Sequence, residues 1–398
     1  MKYPITPEYL EEAPQPVLNL FDQLEDDILT DICRRIRVSG EMTESALQQI
    51  KVLMDRGYDL SDIEDKIKKL LQMAGEEYDE IMQRAIDRNK EYYDYLIDKS
   101  NLLPTGKIDT TVLEMIRRQT KEEFVNLTQS LGFAVNVNGH KEFLPIAEAY
   151  QRVLSNAAIQ VQSGAFDYNT AIRNSVRELT DSGIHVVTKK GDRVITYASG
   201  WHNRIDVAAR RAIMTGVSQM SAQYTEMANE VLQTDLREVS AHIGARDKGS
   251  GWKNHKAWQG KVYSMKPGNP KYKDIHEACG LGAVDGLEGA NCRHQHFLFV
   301  DGVSERTWTD NALRNIDPPP LEFEGKIYSA YDATQMQRKL ETAMRASKRR
   351  MVGAKASGDQ SDYDAASAKL RRIRQKYTEF SEAAGLPKQL ERARIYEK

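Results

Sequence analysis

Cysteine is scarce in this chain. Three occur in 398 residues, Cys33, Cys279 and Cys292. That is too few for a disulfide framework, and a reducing compartment leaves them as thiols or metal ligands. Long apolar runs are missing too. No stretch reaches about 18 apolar residues, so no transmembrane helix is expected. The opening "MKYPITPEYLEEAPQP" lacks an apolar signal-peptide core, so synthesis in the cytoplasm without export by a standard signal is expected. A Gly-rich phosphate loop, a nucleophile elbow, a paired-metal motif, a CxxC pair and an internal repeat are also lacking. No catalytic class is indicated by motif.

What is present is charge and helical periodicity. Hydrophobic residues make up 40% and charged residues 29%, and the mean hydropathy is −0.60. This suits two to three domains with much solvated helical surface. The net charge of −2 hides an asymmetry. Residues 1–100 carry 13 Lys/Arg against 23 Asp/Glu, whereas 330–398 carry 16 against 9. An acidic end points to a protein neighbour. A basic end fits either nucleic acid or a solvated helical face.

The fold class expected is α+β, mostly α, with long terminal helices flanking a small α+β module that a β-hairpin precedes. Residues 1–100 form an acidic helical region. "VLNLFDQLEDDILTDICRRI" repeats Val17, Leu20, Leu24, Ile28, Ile32 and Ile36 at helical spacing, and further helices are expected to stop at Gly57 and Gly75. Tyr92, Tyr93 and Tyr95 read as packing or interface residues. Residues 101–235 form a helical domain, with helices over 108–131 and 141–182. A β-hairpin at 184–198 is expected from the alternation in "GIHVVTKKGDRVITYASG". The α+β module spans 236–316, and 317–330, beginning "DPPPLEF", is a stiff Pro-rich linker. Residues 331–398 form a basic helical hairpin or coiled coil interrupted at "SGDQS". In the long helix starting near 204, Arg204, Arg210 and Arg211 fit helix-surface, ion-pair or ligand-contact roles.

Chemistry-bearing residues crowd into 236–305. Five of the eight histidines lie there, His242, His255, His276, His294 and His296, with Cys279 and Cys292. Mixed imidazole and thiolate donors suit zinc. The candidate ligands are His255, His276, Cys279, Cys292 and His294. In an extended strand, Cys292, His294 and His296 would share one face. Two other readings stay open: a hydrogen-bonded polar knot that fixes an irregular small domain, and a catalytic Cys–His pair, which needs a base within hydrogen-bond reach of the thiol. Nearby, Arg246, His255, Trp258, Gln259 and Gly260 are spaced like a site rather than a helix face. Arg246 and Asp247 fit a local ion pair, and Gly260 a turn into a strand.

"ARDKGSGWKNHKAWQGKVY", followed about thirty residues on by "NCRH", resembles the Mu F-like head-morphogenesis module of tailed-phage minor capsid proteins. Arg246, His255, Gly260, Asn291, Cys292 and Arg293 match its pattern. His294 stands where that pattern closes on a cysteine, which leaves metal and polar-knot roles open and rules out a disulfide there. Over most of its length the chain is similar to the phage minor capsid protein 2 family of phages and prophages of Gram-positive bacteria. That similarity lies in the early helices, "RIDVAARRAIMTGVSQ" at 204–219, the 240–296 module and "YDATQMQRKLETAMRASKRR" at 331–350.

The resemblance implies a low-copy, oligomeric structural protein of the virion, made in the host bacterial cytoplasm and without enzymatic activity. It implies a place in the capsid interior or at the portal vertex, with the portal protein or the major capsid protein as partner and genomic DNA as a non-specific one during assembly, packaging or ejection. Lys348, Arg349, Arg350, Arg371, Arg372 and Arg374 are the candidate phosphate contacts, each adding salt-sensitive, sequence-independent affinity. Zinc is the only cofactor indicated. Two other classes stay in view. One is a metal-dependent hydrolase or toxin-like enzyme housed in 236–305, for which Glu277, Asp285 and Glu288 would be the available carboxylates. The other is a nucleic-acid-binding protein unrelated to virions, which a pI near 6.5 disfavours.

Overall fold

The computed structural model describes residues 3–39, 48, 51, 61–100, 111–128, 131–186, 188–190, 193–195, 203–289 and 292–393. The chain begins with a short helix α1 (Pro7–Glu12), started by Pro7 and capped by Thr6, whose hydroxyl accepts from Tyr9 N. Helix α2 (Gln15–Ser39) follows, and its apolar stripe is buried as its spacing predicts: Val17, Leu24, Ile28, Ile32 and Ile36 are each at most 1% exposed. Helix α3 (Ser61–Lys99) runs unbroken through Gly75, where a stop was expected. One interior glycine costs about 1 kcal/mol, and burial of Leu70, Ala74, Tyr78, Ile81 and Met82 around it outweighs that. Tyr92 and Tyr93 are core residues, whereas Tyr95 is exposed. The expected stop at Gly57 lies outside the described residues.

After α4 (Thr111–Thr128), strands β1 (Leu131–Val137) and β2 (His140–Pro145) form a hairpin where helices were expected to end and begin. The cause is local. Asn138 and Gly139 both take positive φ, the backbone of a two-residue hairpin turn, and Asn136 Oδ1 accepts from Gly139 N at 2.9 Å. Helices α5 (Ile146–Gln162) and α6 (Tyr168–Ser182) pack together behind β1.

The expected hairpin at 184–198 is divided. Strand β3 (Ile184–Val186) pairs with β1, and β4 (Thr188–Lys190) pairs with β5 (Arg193–Ile195). Strand β6 (Asn203–Arg204) completes a four-stranded sheet ordered β2-β1-β3-β6. The long helix α7 (Ile205–Leu232) then crosses the body, buried against α2, α3 and α4.

The module is a small antiparallel sheet with β7 (Leu236–Val239) between β8 (Val262–Ser264) and β9 (His296–Leu298). Two short helices, α8 (His255–Trp258) and α9 (Ile275–Cys279), lie over it around Val239, Trp258, Tyr263, Ile275, Cys279, Leu287 and Cys292. Helix α10 (Asp310–Arg314) leads to the Pro-rich segment, which is not a bare linker. It contains the hairpin β10 (Leu321–Phe323) and β11 (Lys326–Tyr328). Phe323 and Tyr328 set their rings edge-on against Phe380, each at 5.2 Å.

Helices α11 (Ala330–Ser357) and α12 (Gln360–Ala383) form the expected hairpin, turning at Gly358 with φ 74°. The hairpin is not a separate tail, because α11 packs along α2 and α6. Among the described residues, no helix is long and apolar enough to cross a membrane.

Candidate functional site

Three elements bring the site together. Asn254 caps α8, its side chain accepting from Ala257 N, and so places His255 at the start of that helix. Gly260 ends the turn with φ 67°, where a Cβ would lie 2.4 Å from Leu313 Cδ2. Only glycine suits that bend into β8. The stretch before β9 then brings Cys292 and His294 against His255. His255 Nδ1 lies 3.7 Å from Cys292 Sγ, and His294 Nδ1 lies 3.5 Å from it. The three donor atoms fall within 4.8 Å of one another, and all three residues are buried.

The outer ring nitrogens fix the tautomers. His255 Nε2 is 3.1 Å from Asp285 O, a carbonyl that can only accept, so Nε2 carries the proton. His294 Nε2 is 3.1 Å from Gln259 Oε1, which also accepts from His242 N at 3.1 Å. That second bond pins the Gln259 amide with its oxygen toward both donors. Both Nδ1 lone pairs therefore face Cys292 Sγ, and a thiol has one proton to give. One imidazole lone pair is left without a donor, at a place where an unpaired polar group is costly. His242 stacks on His294 at 4.4 Å, and Trp258 meets it edge-on at 4.8 Å.

Burial lowers the basicity of His255 and His294, helped at His294 by the neighbouring His242 and His255 and at both by the charge of Arg246. Burial also pushes the Cys292 thiol up to about 11. A bare Cys292–His pair is therefore neutral, the opposite of the depressed thiol that an activated nucleophile needs.

The other expected ligands go elsewhere. His276 is exposed on α9, with Nδ1 3.2 Å from Leu281 O. Cys279 is buried beneath Tyr263 and is not among the grouped donors. His296 is not grouped with Cys292 and His294: only 296–298 is strand, and 292–295 before it has no regular structure. Its Nδ1 sits 2.9 Å from Glu288 Oε1 and its Nε2 3.9 Å from Glu226. Burial opposes charge on that ring, but Glu288 and Glu226 hold its pKa up at about 9. Asp247 pairs with Lys248 at 3.6 Å rather than with Arg246. Asn291 lies outside the described residues. Arg293 reaches out of the module to Glu11, with Nη1 3.0 and 3.2 Å from its two oxygens.

A second polar centre, which the spacing of residues did not indicate, is built from the two oppositely charged ends of the chain. Glu25 on α2 accepts from Ile184 N at 2.8 Å and meets Arg204 at 3.4 Å and Arg349 at 3.6 Å. Arg345 bridges Asp22 at 2.9 Å and Asp206 at 2.5 Å. Arg345 and Arg204 overcome the burial of Asp206 and hold its carboxyl well below the usual range. Gly183 passes between these groups with φ 66°, where a Cβ would stand 2.6 Å from Glu25 Oε1.

This centre corrects the list of phosphate contacts. Arg349 is 2% exposed and donates from Nε to Thr180 O at 3.0 Å. Arg350 forks onto Asp181 at 2.9 and 2.8 Å. Lys348 is half-buried on the same helix, whereas Arg371, Arg372 and Arg374 are exposed on α12. A signal did exist for the acidic side. Leu18, Asp22, Glu25 and Leu29 fall on one face of α2, so the helical spacing places two acids between two buried leucines.

Residues 5–382 match the family model described as Phage minor capsid protein 2. The chain belongs to that family. It is 23% identical over 325 residues to a structural protein of Lactococcus phage LL-H, covering 78% of each chain. It is 31% identical over 128 residues to a structural protein of Lactococcus phage mv4, covering 32% of this chain and 94% of the relative. No solved structure matches. The protein is a phage minor capsid protein, and its place is the virion.

Proposed function

We propose that this minor capsid protein is a non-enzymatic building block of the head, seated at the portal vertex or on the capsid interior, and that His255, Cys292 and His294 hold one zinc ion as a structural staple of its module. The observation that carries the metal reading is the pair of Nδ1 lone pairs aimed at a single thiol. Carbonyl-type acceptors on the far nitrogens are the usual way of orienting histidine ligands. The two sulfur–nitrogen separations agree with the edge of a zinc tetrahedron, about 3.6 Å for Zn–S near 2.3 Å and Zn–N near 2.05 Å. Cys292 also borders a cavity from which water can supply a fourth ligand. A metal-free polar knot is the second reading. Arg246 and Arg293 favour it, since their charge near the imidazoles disfavours a cation.

The elemental content of the purified full-length chain decides between the two. About one zinc per chain, lost in Cys292→Ser, is expected. A stably folded protein without zinc leaves the knot.

The portal protein is the partner that the resemblance favours, with the major capsid protein as the other and oligomeric assembly in the particle. Co-expression with the portal protein of the same genome is expected to give a complex that survives size exclusion. Separate elution of the two sinks the portal assignment. Contact with genomic DNA rests on the exposed Arg371, Arg372 and Arg374. It is tested on the full chain, because α11 is buried against α2 and a 330–398 fragment would expose that face.

A further inference from the structure

A cavity of about 320 Å³ opens between α1, α7, α11 and residues 288–293. Four guanidiniums from four separate segments converge on it: Arg210 from α7, Arg293 from the stretch before β9, Arg338 from α11, and Arg392 from the last described turn, Leu390–Ala393. They surround one carboxylate. Arg293 Nη1 is 3.0 Å from Glu11 Oε1, Arg338 Nη2 is 3.5 Å away, Arg210 Nη2 is 3.9 Å away, and Arg392 also touches it. Glu341 lies 3.8 Å from Arg392, and Asp22, Asp206 and Glu288 also line the cavity but have partners of their own, Arg345 for the first two and His296 for the third.

With Arg345 matched to Asp22 and Asp206, the four cations around Glu11 face two carboxylates, Glu11 and Glu341. The imbalance is larger than that count, because burial holds Glu341 above the ordinary carboxylate range. It is also felt by the arginines: burial and the charge of Arg392 bring Arg210 down to about 10. Donors exceed acceptors as well. Each guanidinium has five N–H groups, whereas a carboxylate offers about four lone-pair sites. At the rim the exposed Arg211 makes no ion pair among the described residues. Like charges brought together from distant parts of a chain are costly unless something neutralises them. Planar guanidinium forks suit the oxygens of a tetrahedral anion.

We propose that this cavity binds a phosphate group, either the inorganic ion or one carried on a nucleic acid, with Arg210, Arg293, Arg338 and Arg392 as its ligands and Glu11 as the internal carboxylate that partly fills the site in its absence. The proposal does not rest on zinc, although Cys292 borders the same cavity, nor on the α12 arginines.

The test uses the full-length chain and thermal unfolding at constant ionic strength, with chloride exchanged for inorganic phosphate. Wild type gains melting temperature with phosphate concentration. Arg338→Gln, chosen because this side chain is the most exposed of the four at 42%, keeps the fold and shifts the phosphate dependence about tenfold to higher concentration, the effect of losing about 1.4 kcal/mol of charge-assisted hydrogen bonding. Glu11→Gln removes the internal competitor and shifts it the other way. A short DNA duplex added to wild type separates the two sources. If it moves the phosphate midpoint, the nucleic acid occupies the site, and if it does not, the free ion does. Equal melting temperatures in phosphate and chloride overturn the proposal, as does an Arg338→Gln response identical to that of wild type.

Discussion

The two buried polar centres solve the same problem in opposite ways. Around Glu25, formally charged groups are taken out of water and matched by opposite charges: Glu25 with Arg204 and Arg349, Asp22 and Asp206 with Arg345. Around Cys292 the groups are kept neutral, and order comes from fixed proton positions on His255 and His294. The first centre joins parts of the chain more than 300 residues apart, α2 to α11, through Arg345 on Asp22 and Arg349 on Glu25. The second stays within one module. A charged centre tolerates the loss of a partner badly, because the remaining charge cannot be rehydrated. A neutral centre loses only a hydrogen bond or a ligand.

Breaking the charged centre should therefore have the largest effect. Arg349→Leu leaves Glu25 with Arg204 alone and is expected to lower unfolding free energy by about 3 kcal/mol in denaturant melts. A loss under about 1 kcal/mol would mean that the two ends do not depend on this pair. At the neutral centre, Cys292→Ser should cost only what the metal contributes, about 2.7 kcal/mol at a hundredfold excess of zinc over its Kd. After chelation the two proteins should melt nearly together. A large difference that persists without zinc would assign the cluster a stabilising role of its own.

A smaller effect sharpens the contrast through pH. Both carboxyl oxygens of Asp26, next to Glu25, are buried without a hydrogen-bond partner. Burial, with Glu25 and Asp22 nearby, pushes its pKa up to about 8. The folded chain thus holds a proton that the unfolded chain releases near pH 4. Stability from this group is fully present below about pH 4 and is lost as pH rises through about 8. Asp22 and Glu238, pushed up to about 7 by burial, act in the same direction. Asp26→Asn should flatten part of the fall in urea midpoint between pH 5 and pH 9, and an unchanged slope would remove Asp26 from the account.

The smallest stability effect belongs to the exposed basic face. Changing Arg371, Arg372 and Arg374 together to Gln should leave melting unaltered and lower the salt slope of DNA binding by about 2.7, at 0.9 per phosphate contact. An unchanged slope would clear α12 of any DNA role.

Much of the secondary structure was legible, and the misses are instructive. The α2 stripe and the turn at 357–361 followed from spacing and punctuation. The β1–β2 hairpin carried its own signal in Asn138-Gly139, which helical spacing on either side obscured. Gly75 misled because a local helix breaker was weighed without the core that overrides it. At the site, clustering in sequence pointed to one region, and the structure brings three of the five candidate ligands together there. His276 and Cys279 share that region, but α9 turns one to solvent and the other under Tyr263.

The sequence by itself determined most of the helical segments, that 236–305 holds a histidine–cysteine constellation, and that the two ends carry opposite charge. Only the tertiary structure decided that Cys292 faces two bare imidazole nitrogens, that Arg349 is buried on Glu25 rather than offered to DNA, and that four arginines converge on Glu11. The physical reason is range. Periodicity and capping act over three or four residues and leave a trace in spacing. A buried charge is matched by whatever the fold brings within about 4 Å, and no spacing along the chain records a partner more than 300 residues away.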